Sequence, residues 1–223
     1  MDQDEAFRRV WQAFRTSDHV EDGRQDTEAW GSHAGPFCMV TVRVPAALLS
    51  PELAKVREAM AQFPFIRVHP DGFLHITIQE LGFLTDTPSA ADEVSPVRLE
   101  EFAHAASHAT AERSPFTVSL GGVNSFQDAV FLEVHDGGAL QRLHARLFEL
   151  AAIPRAPRYA YLPHSTIGHY TADAPSAHLA ATLSPWRLTV FGQFPVDQVE
   201  IVTLRTDEPS PPLETYAILP LGR

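Results

Sequence analysis

The chain has 223 residues, 44% of them hydrophobic and 20% charged, with a formal net charge of −11. This is the size and balance of one large domain or two joined lobes, and no apolar run approaches the roughly 20 residues of a membrane span. The acidic balance argues against a grip on a long nucleic acid, which needs a basic face. A lone cysteine, Cys38, leaves no internal disulfide and no thiolate metal cluster. The opening Met1-Asp-Gln-Asp-Glu5 is the opposite of a basic signal-peptide start, so a cytoplasmic protein without a membrane partner is expected.

Residues 3–16 place Phe7, Val10, Trp11 and Phe14 on one helical face. A polar, acidic arm follows to residue 35, with Trp11 and Trp30 expected to pack this N-terminal extension. Phe37 to Val44 reads as the first strong strand, and Ser50-Pro51-Glu52 as a helix start ahead of Leu53, Val56, Met60 and Phe63. Phe65–Val68, a turn at His69-Pro-Asp-Gly72 and Phe73–Leu81 read as a hairpin. Residues 85–96 form a loop, and Leu99–Arg113 an alanine-rich helix. A strand through Phe116, Val118 and Leu120 is expected to turn at Gly121-Gly122 and return as Val130–Val134. Leu140, Leu143, Leu147 and Leu150 mark a further helix, ended by Pro154–Pro157.

Tyr159 to Tyr170 is the next strand, followed by a short helix over 175–183. Strands at Leu188–Phe191, Val199–Leu204 and Tyr216–Leu219 complete the chain. Hairpins dominate, so the fold class is α+β with mainly antiparallel sheets. Residues 1–35 are read as a helix and arm, and 36–223 as a single domain in which each half supplies strand, helix and strand.

Two strands carry the chemistry: Phe73-Leu-His75-Ile-Thr77-Ile78 and Leu162-Pro-His164-Ser-Thr166-Ile167. Side chains two apart on a strand share a face, so each strand projects an imidazole beside a hydroxyl. The tripeptide alone is weak evidence, because His108-Ala109-Thr110 also fits it. That one lies on a helix, where residues two apart diverge by about 200°. The structural alternative, two half-buried strand histidines bonded to neighbours, is outweighed by the matching strand settings and the isoleucine after each threonine.

At these residues the chain resembles the 2H phosphoesterase superfamily, and within it the 2′-5′ RNA ligase-like and RNA 2′,3′-cyclic phosphodiesterase family. Glu80-Leu81-Gly82-Phe83 after the first motif and Pro163 before His164 strengthen the likeness, which spans about residues 36–220. The resemblance implies a bilobal α+β fold, one motif per pseudo-twofold-related lobe, around a central cleft. It implies metal-free phosphodiester chemistry without a cofactor, His75 and His164 as acid–base pair, and Thr77 and Thr166 on the phosphoryl oxygens. The substrate class it implies is a nucleotide or RNA end, foremost a 2′,3′-cyclic phosphate, with 2′-5′ ligation as the reverse reaction. Where the family often carries a basic residue after the second motif, this chain has His169, a weaker anion partner at neutral pH.

Histidine's ordinary pKa of roughly 6.5 lets one imidazole accept a proton from water while the other donates to the leaving ribose oxygen. His164 is read as base and His75 as acid, the reverse assignment also being consistent with the sequence. Phe73 and Gln79 are expected to share the His75 face and line the cleft, with Phe73 available to stack on a base. Arg158, Tyr161 and Tyr170 flank the second motif as further substrate contacts. His104 and His108, one turn apart on a helix, lack a third ligand and the Glu of a zinc motif, so no metal site is expected. Two rival functions remain: a phosphodiesterase of a small free cyclic nucleotide or cyclic oligonucleotide, and a nucleotide-binding sensor without turnover.

Overall fold

The structure, a computed structural model, describes residues 2–23, 33–152 and 160–222. In chain order the elements are α1 (Gln3–Thr16), β1 (His19–Val20), β2 (Phe37–Arg43), α2 (Glu52–Met60), β3 (Ile66–Val68) and β4 (His75–Leu84). Then come β5 (Glu93–Val94), α3 (Pro96–Ala111), β6 (Phe116–Ser125), β7 (Ala129–His135), α4 (Ala139–Ala151) and β8 (His164–Tyr170). The chain closes with β9 (Ala174–Pro175), α5 (Ala177–Leu183), β10 (Val190–Val196), β11 (Gln198–Leu204) and β12 (Glu214–Pro220). Helix starts follow their capping chemistry: the Ser50 hydroxyl accepts from the Glu52 N–H at 3.2 Å, and the Ser95 hydroxyl from the Arg98 N–H at 3.2 Å. The second cap begins α3 three residues before the first apolar residue of its buried face.

Among the described residues the strands form two five-stranded sheets, β12-β11-β2-β4-β5 and β10-β6-β7-β8-β3, and a short ribbon of β1 with β9. Pairing is antiparallel except where β5 runs parallel to β4. This is the expected bilobal α+β fold, with each motif strand fourth in its own sheet. The helices cross over: α2 leaves the first sheet and packs beside β3 of the second, while α4 leaves the second and packs on β4 of the first. One continuous core, including Val40, Ile76 and Ile78 from one sheet and Val130, Leu132 and Ile167 from the other, joins the halves. No described helix is long and apolar enough to cross a membrane.

Several sequence expectations are corrected. Residues 65–81 are not a hairpin: β3 pairs with β8 in the second sheet and β4 with β2 in the first. The chain changes sheet through the 3₁₀ turn Asp71–Phe73. Gly121-Gly122 does not turn the chain either. The strand runs on to Ser125, and Gly122, at φ +70°, takes a bulge that L side chains resist. The strand predicted at Leu188 begins at Val190 and runs to Val196, leaving Leu188 exposed. The arm after α1 is not wholly irregular, since Val20 is buried in the β1–β9 ribbon. Trp30 lies outside the described residues.

The amphipathic α1 packs where its apolar stripe dictates, with Phe7, Trp11 and Phe14 buried. Phe7 meets Phe131 and His135 at ring separations of 6.3 and 5.3 Å. Its carbonyl accepts from the Asn124 amide at 2.9 Å, and the Arg187 guanidinium lies 4.7 Å over Trp11.

Gly168 of β8 sits where a Cβ would come within 2.8 Å of the Met60 methyl and 2.9 Å of the Arg67 carbonyl. Close approach of α2 and β3 to the second motif strand therefore requires glycine. Gly168→Ala should cost on the order of 1–3 kcal/mol, read as a lower urea midpoint; an unchanged midpoint would remove the close-packing explanation.

Candidate active site

Both motif strands depart from simple alternation at the same point. The β2–β4 register slips between Val40 and Thr41, leaving Ile78 as an extra residue, and the β7–β8 register slips between Val130 and Phe131, leaving Ile167. Before each bulge the histidine and threonine are half-buried and face one side, while Ile76 and Ser165 are buried on the other. After the bulge the faces exchange. Gln79 pairs with Val40 and turns into the core, with its Oε1 unpartnered among the described residues. Glu80 takes the place on the His75 face that alternation assigns to Gln79. In β8 the same shift brings His169 round to the His164 face.

The two strands lie against each other, and the histidines are close enough for charge on one to oppose charge on the other. Each is held in the same way. His75 Nδ1 lies 2.7 Å from the Phe73 carbonyl, and His164 Nδ1 lies 2.8 Å from the Leu162 carbonyl. A carbonyl oxygen only accepts, so Nδ1 carries the hydrogen and Nε2 of the neutral ring keeps its lone pair.

Burial is the main force on both imidazoles, since it disfavours the charged ring. It pushes His75 down to about 4, against the Phe73 carbonyl and helped by His164, Arg43 and His169. Burial likewise lowers His164, where the Leu162 carbonyl and the Asp128 carboxylate favour the charged form and His169 opposes it. Among the described residues the Thr77 hydroxyl makes a long contact, 3.6 Å to Met39 Sδ. Cys38 is no rival nucleophile, because burial pushes its thiol up to about 12.

The other expected residues divide. Phe73 is in the 3₁₀ turn rather than on the strand, yet its ring lies 5.2 Å from His75, at the site. Tyr161 is not arranged as a substrate contact: its hydroxyl donates to the Thr77 carbonyl at 3.0 Å, and its ring stacks on His144 at 4.1 Å. Tyr170 is fully buried, its hydroxyl 2.5 Å from Ser125 Oγ, and belongs to the core. Arg158 lies outside the described residues. His169 is at the site, with Nδ1 2.8 Å from His69 Nε2.

Residues that sequence reading missed are brought in by pairing and crossover. Arg43 is the cross-strand partner of His75, and is oriented by Glu200 at 2.9 Å and the Leu213 carbonyl at 2.7 Å. His144 of α4 donates from Nδ1 to the Ile78 carbonyl at 2.7 Å. His69, read only as part of a turn, is 5% exposed, and burial pushes it down to about 3.

Acid should therefore destabilise the fold. His69 and His75 titrate lower folded than unfolded, so the unfolded chain binds more protons between about pH 6.5 and the folded values. The stability they leave intact above about pH 6.5 is lost as pH falls towards 4 and then 3. The urea midpoint is expected to drop from pH 7 to pH 5, and less so in His69→Gln; a flat midpoint in the wild type contradicts this.

The architecture has close counterparts. The protein TT0787 of Thermus thermophilus superposes with a TM-score of 0.59 at 19% identity, covering 84% of this chain and 99% of that one. A structure described as a phosphoesterase gives 0.60 at 16% identity, with 85% and 99% covered. LigT of E. coli, in a crystal with 3′-AMP, gives 0.58 at 16% identity, with 84% and 99% covered. At these identities the likeness is one of fold. A search of curated protein sequences finds no match. The sequence pattern of one family, described as the 2′-5′ RNA ligase superfamily, matches residues 45–208. That span takes in both motifs, their bulges and the crossover helices that buttress them, and the chain belongs to the 2′-5′ RNA ligase superfamily.

Proposed function

We propose that the protein is a cytoplasmic, metal-independent phosphodiesterase that opens cyclic phosphates, with RNA 2′,3′-cyclic ends or cyclic nucleotides as substrate. The single observation that carries this is the matched pair of imidazoles. Each has Nδ1–H tied to a backbone carbonyl two residues upstream and Nε2 left for proton transfer. Each also has a threonine beside it on strands that touch. Superfamily membership and the 3′-AMP complex of LigT support a phosphoester substrate.

His164 serves as base. Its Nε2 takes a proton from water as the water oxygen bonds to phosphorus, and the Asp128 carboxylate favours the imidazolium that forms. His75 serves as acid, giving a proton to the ribose oxygen as its bond to phosphorus breaks. Arg43 and His169 oppose charge on His75, which makes it a stronger acid. Thr77 and Thr166 donate to the equatorial oxygens as charge builds there. In the reverse reaction a ribose hydroxyl bonds to phosphorus, giving its proton to His75, as the bond from phosphorus to the former water oxygen breaks and that oxygen leaves with a proton from His164.

A terminal or small substrate is favoured over the middle of a polymer. Glu133 and Phe131 pair with His164 and Thr166 and so share their face. Phe7 of α1 packs on Phe131 there, which occupies part of the face an extended chain would need. The net charge of −11 works in the same direction.

Turnover of nucleoside 2′,3′-cyclic phosphates, RNA ends and cyclic dinucleotides tests the reading directly. His75→Ala and His164→Ala should each lose about 10²–10⁴ in kcat/KM, and full turnover in either would falsify the mechanism. With a nitrophenyl phosphodiester, whose leaving group needs no proton, His75→Ala should recover most of its loss and His164→Ala should not. Both histidines titrate below their ordinary value, so kcat/KM should peak on the acid side of pH 6.5. A plateau extending above pH 8 would contradict that pairing of one charged and one neutral ring. Nucleotide binding without turnover of any of these esters would favour a sensor.

A further inference from the structure

The cleft face of the second sheet carries a cation that the acid–base pair does not use. β3 is the outer strand of that sheet, beside β8. Arg67 is the cross-strand partner of His169, so it stands on the face that bears His164 and Thr166. Ile66 and Val68, on either side of it, turn to the core. Arg43, Arg57 and Arg187 are each paired with a carboxylate, at Glu200, Asp71 and Glu133. Arg67 is exposed and makes no hydrogen bond or ion pair among the described residues.

The surroundings favour an anion at this end of the cleft. Besides burial, His169, His75, Arg67 and Arg57 all oppose a proton on His69, so the local potential is positive although the chain carries −11 overall. The first sheet has the opposite sign at the matching place. There β5 sets Glu93 opposite Phe83, and the Ser89 and Ala90 N–H groups donate to its carboxylate at 2.6 and 3.0 Å. α1 occupies the other flank of the second sheet, with Phe7 on Phe131 of β7, whereas the exposed Arg67 lies on the β3 flank. Arg67 stands three residues along β8 and one strand across from Thr166, about 10 Å at ~3.3 Å per residue and ~4.8 Å per strand. That spacing suits a second phosphate, one nucleoside beyond the phosphoryl group seated between the two His–Thr units.

We propose that Arg67 binds a second phosphate of the ligand, so that the site selects nucleotides carrying two phosphates over nucleoside cyclic phosphates carrying one. This inference rests on the reading of the cleft as a phosphodiester site. The second phosphate is the internucleotide linkage of an RNA end or the 5′-phosphate of a free nucleotide, and a guanidinium donates to the oxygens of both. An unpaired arginine gives up no existing ion pair on binding, unlike Arg43 or Arg57.

The test titrates the full chain with three ligands that carry no cyclic phosphate: adenosine 3′-phosphate, adenosine 3′,5′-bisphosphate and the dinucleotide ApAp. The wild type should bind at least one of the two-phosphate ligands about tenfold more tightly than adenosine 3′-phosphate. That advantage should shrink as salt rises and disappear in Arg67→Gln, while Arg67→Lys, which keeps the charge, should retain part of it. An advantage for the bisphosphate alone assigns the second phosphate to a free nucleotide, and one for ApAp assigns it to an RNA end. Equal affinity for all three ligands in the wild type overturns the proposal, and so does an advantage that survives in Arg67→Gln. None of these readings needs turnover. If the advantage is present and cyclic phosphates are not hydrolysed, the enzymatic reading fails and the role of Arg67 stands. If cyclic phosphates are hydrolysed and the advantage is absent, only the role of Arg67 fails.

Discussion

The site depends on the two bulges at Ile78 and Ile167. A pleated strand alternates its side chains without exception, so the only way to follow a cleft-facing His and Thr with two core-facing residues is to insert one residue into the ladder. The insertion leaves backbone carbonyls that neighbouring strands no longer serve, and buried carbonyls require partners. Those partners come from the other half of the chain. Tyr161 and His144 close the first bulge at the Thr77 and Ile78 carbonyls, and the His69 N–H closes the second at Ile167. The crossover of α2 and α4 between lobes follows from this demand, and it locks one motif to the other.

Tethering sets the tautomer and burial sets the charge. The Phe73 and Leu162 carbonyls hold each ring by Nδ1, which aims Nε2 away from the chain and removes a rotational freedom the ring would otherwise have. The same low-dielectric setting that keeps the rings neutral strengthens any hydrogen bond or charge contact made there. A bound anion therefore draws protons into the site more effectively than it would at a solvated surface. Arg43, the cross-strand partner of His75, is a cation held in place by Glu200 and the Leu213 carbonyl.

The N-terminal helix is tied to the second motif more closely than its position outside the family match suggests. Glu133, the cross-strand partner of His164, is nearly buried and is bound by Asn124 at 2.7 Å and Arg187 at 2.6 Å. Asn124 also holds the Phe7 carbonyl, and Arg187 stacks on Trp11. One buried carboxylate thus couples α1 to the strand that pairs with His164, with enough donors to offset the cost of burying its charge.

The sequence by itself determined the elements and the chemical groups. Apolar periodicity marked α1, β2, α4 and both motif strands, and the spacing of His75 to Thr77 and His164 to Thr166 identified paired imidazole–hydroxyl units, because period two on a strand is a local property. The isoleucine after each threonine was visible, but its role as a bulge was not, since register is set by the neighbouring strand. For that reason local alternation places Gln79 on the wrong face and pairs Ile66–Val68 with the wrong strand, while Tyr161 and Tyr170, expected as substrate contacts, turn to the Thr77 carbonyl and to Ser125 in the core. Tertiary structure alone decided that β3 joins the second sheet, that His69 meets His169 a hundred positions away, and that Arg43 stands beside His75. Those contacts arise from sheet pairing between distant segments, and nothing in a local pattern of residues encodes which strand will lie next to which.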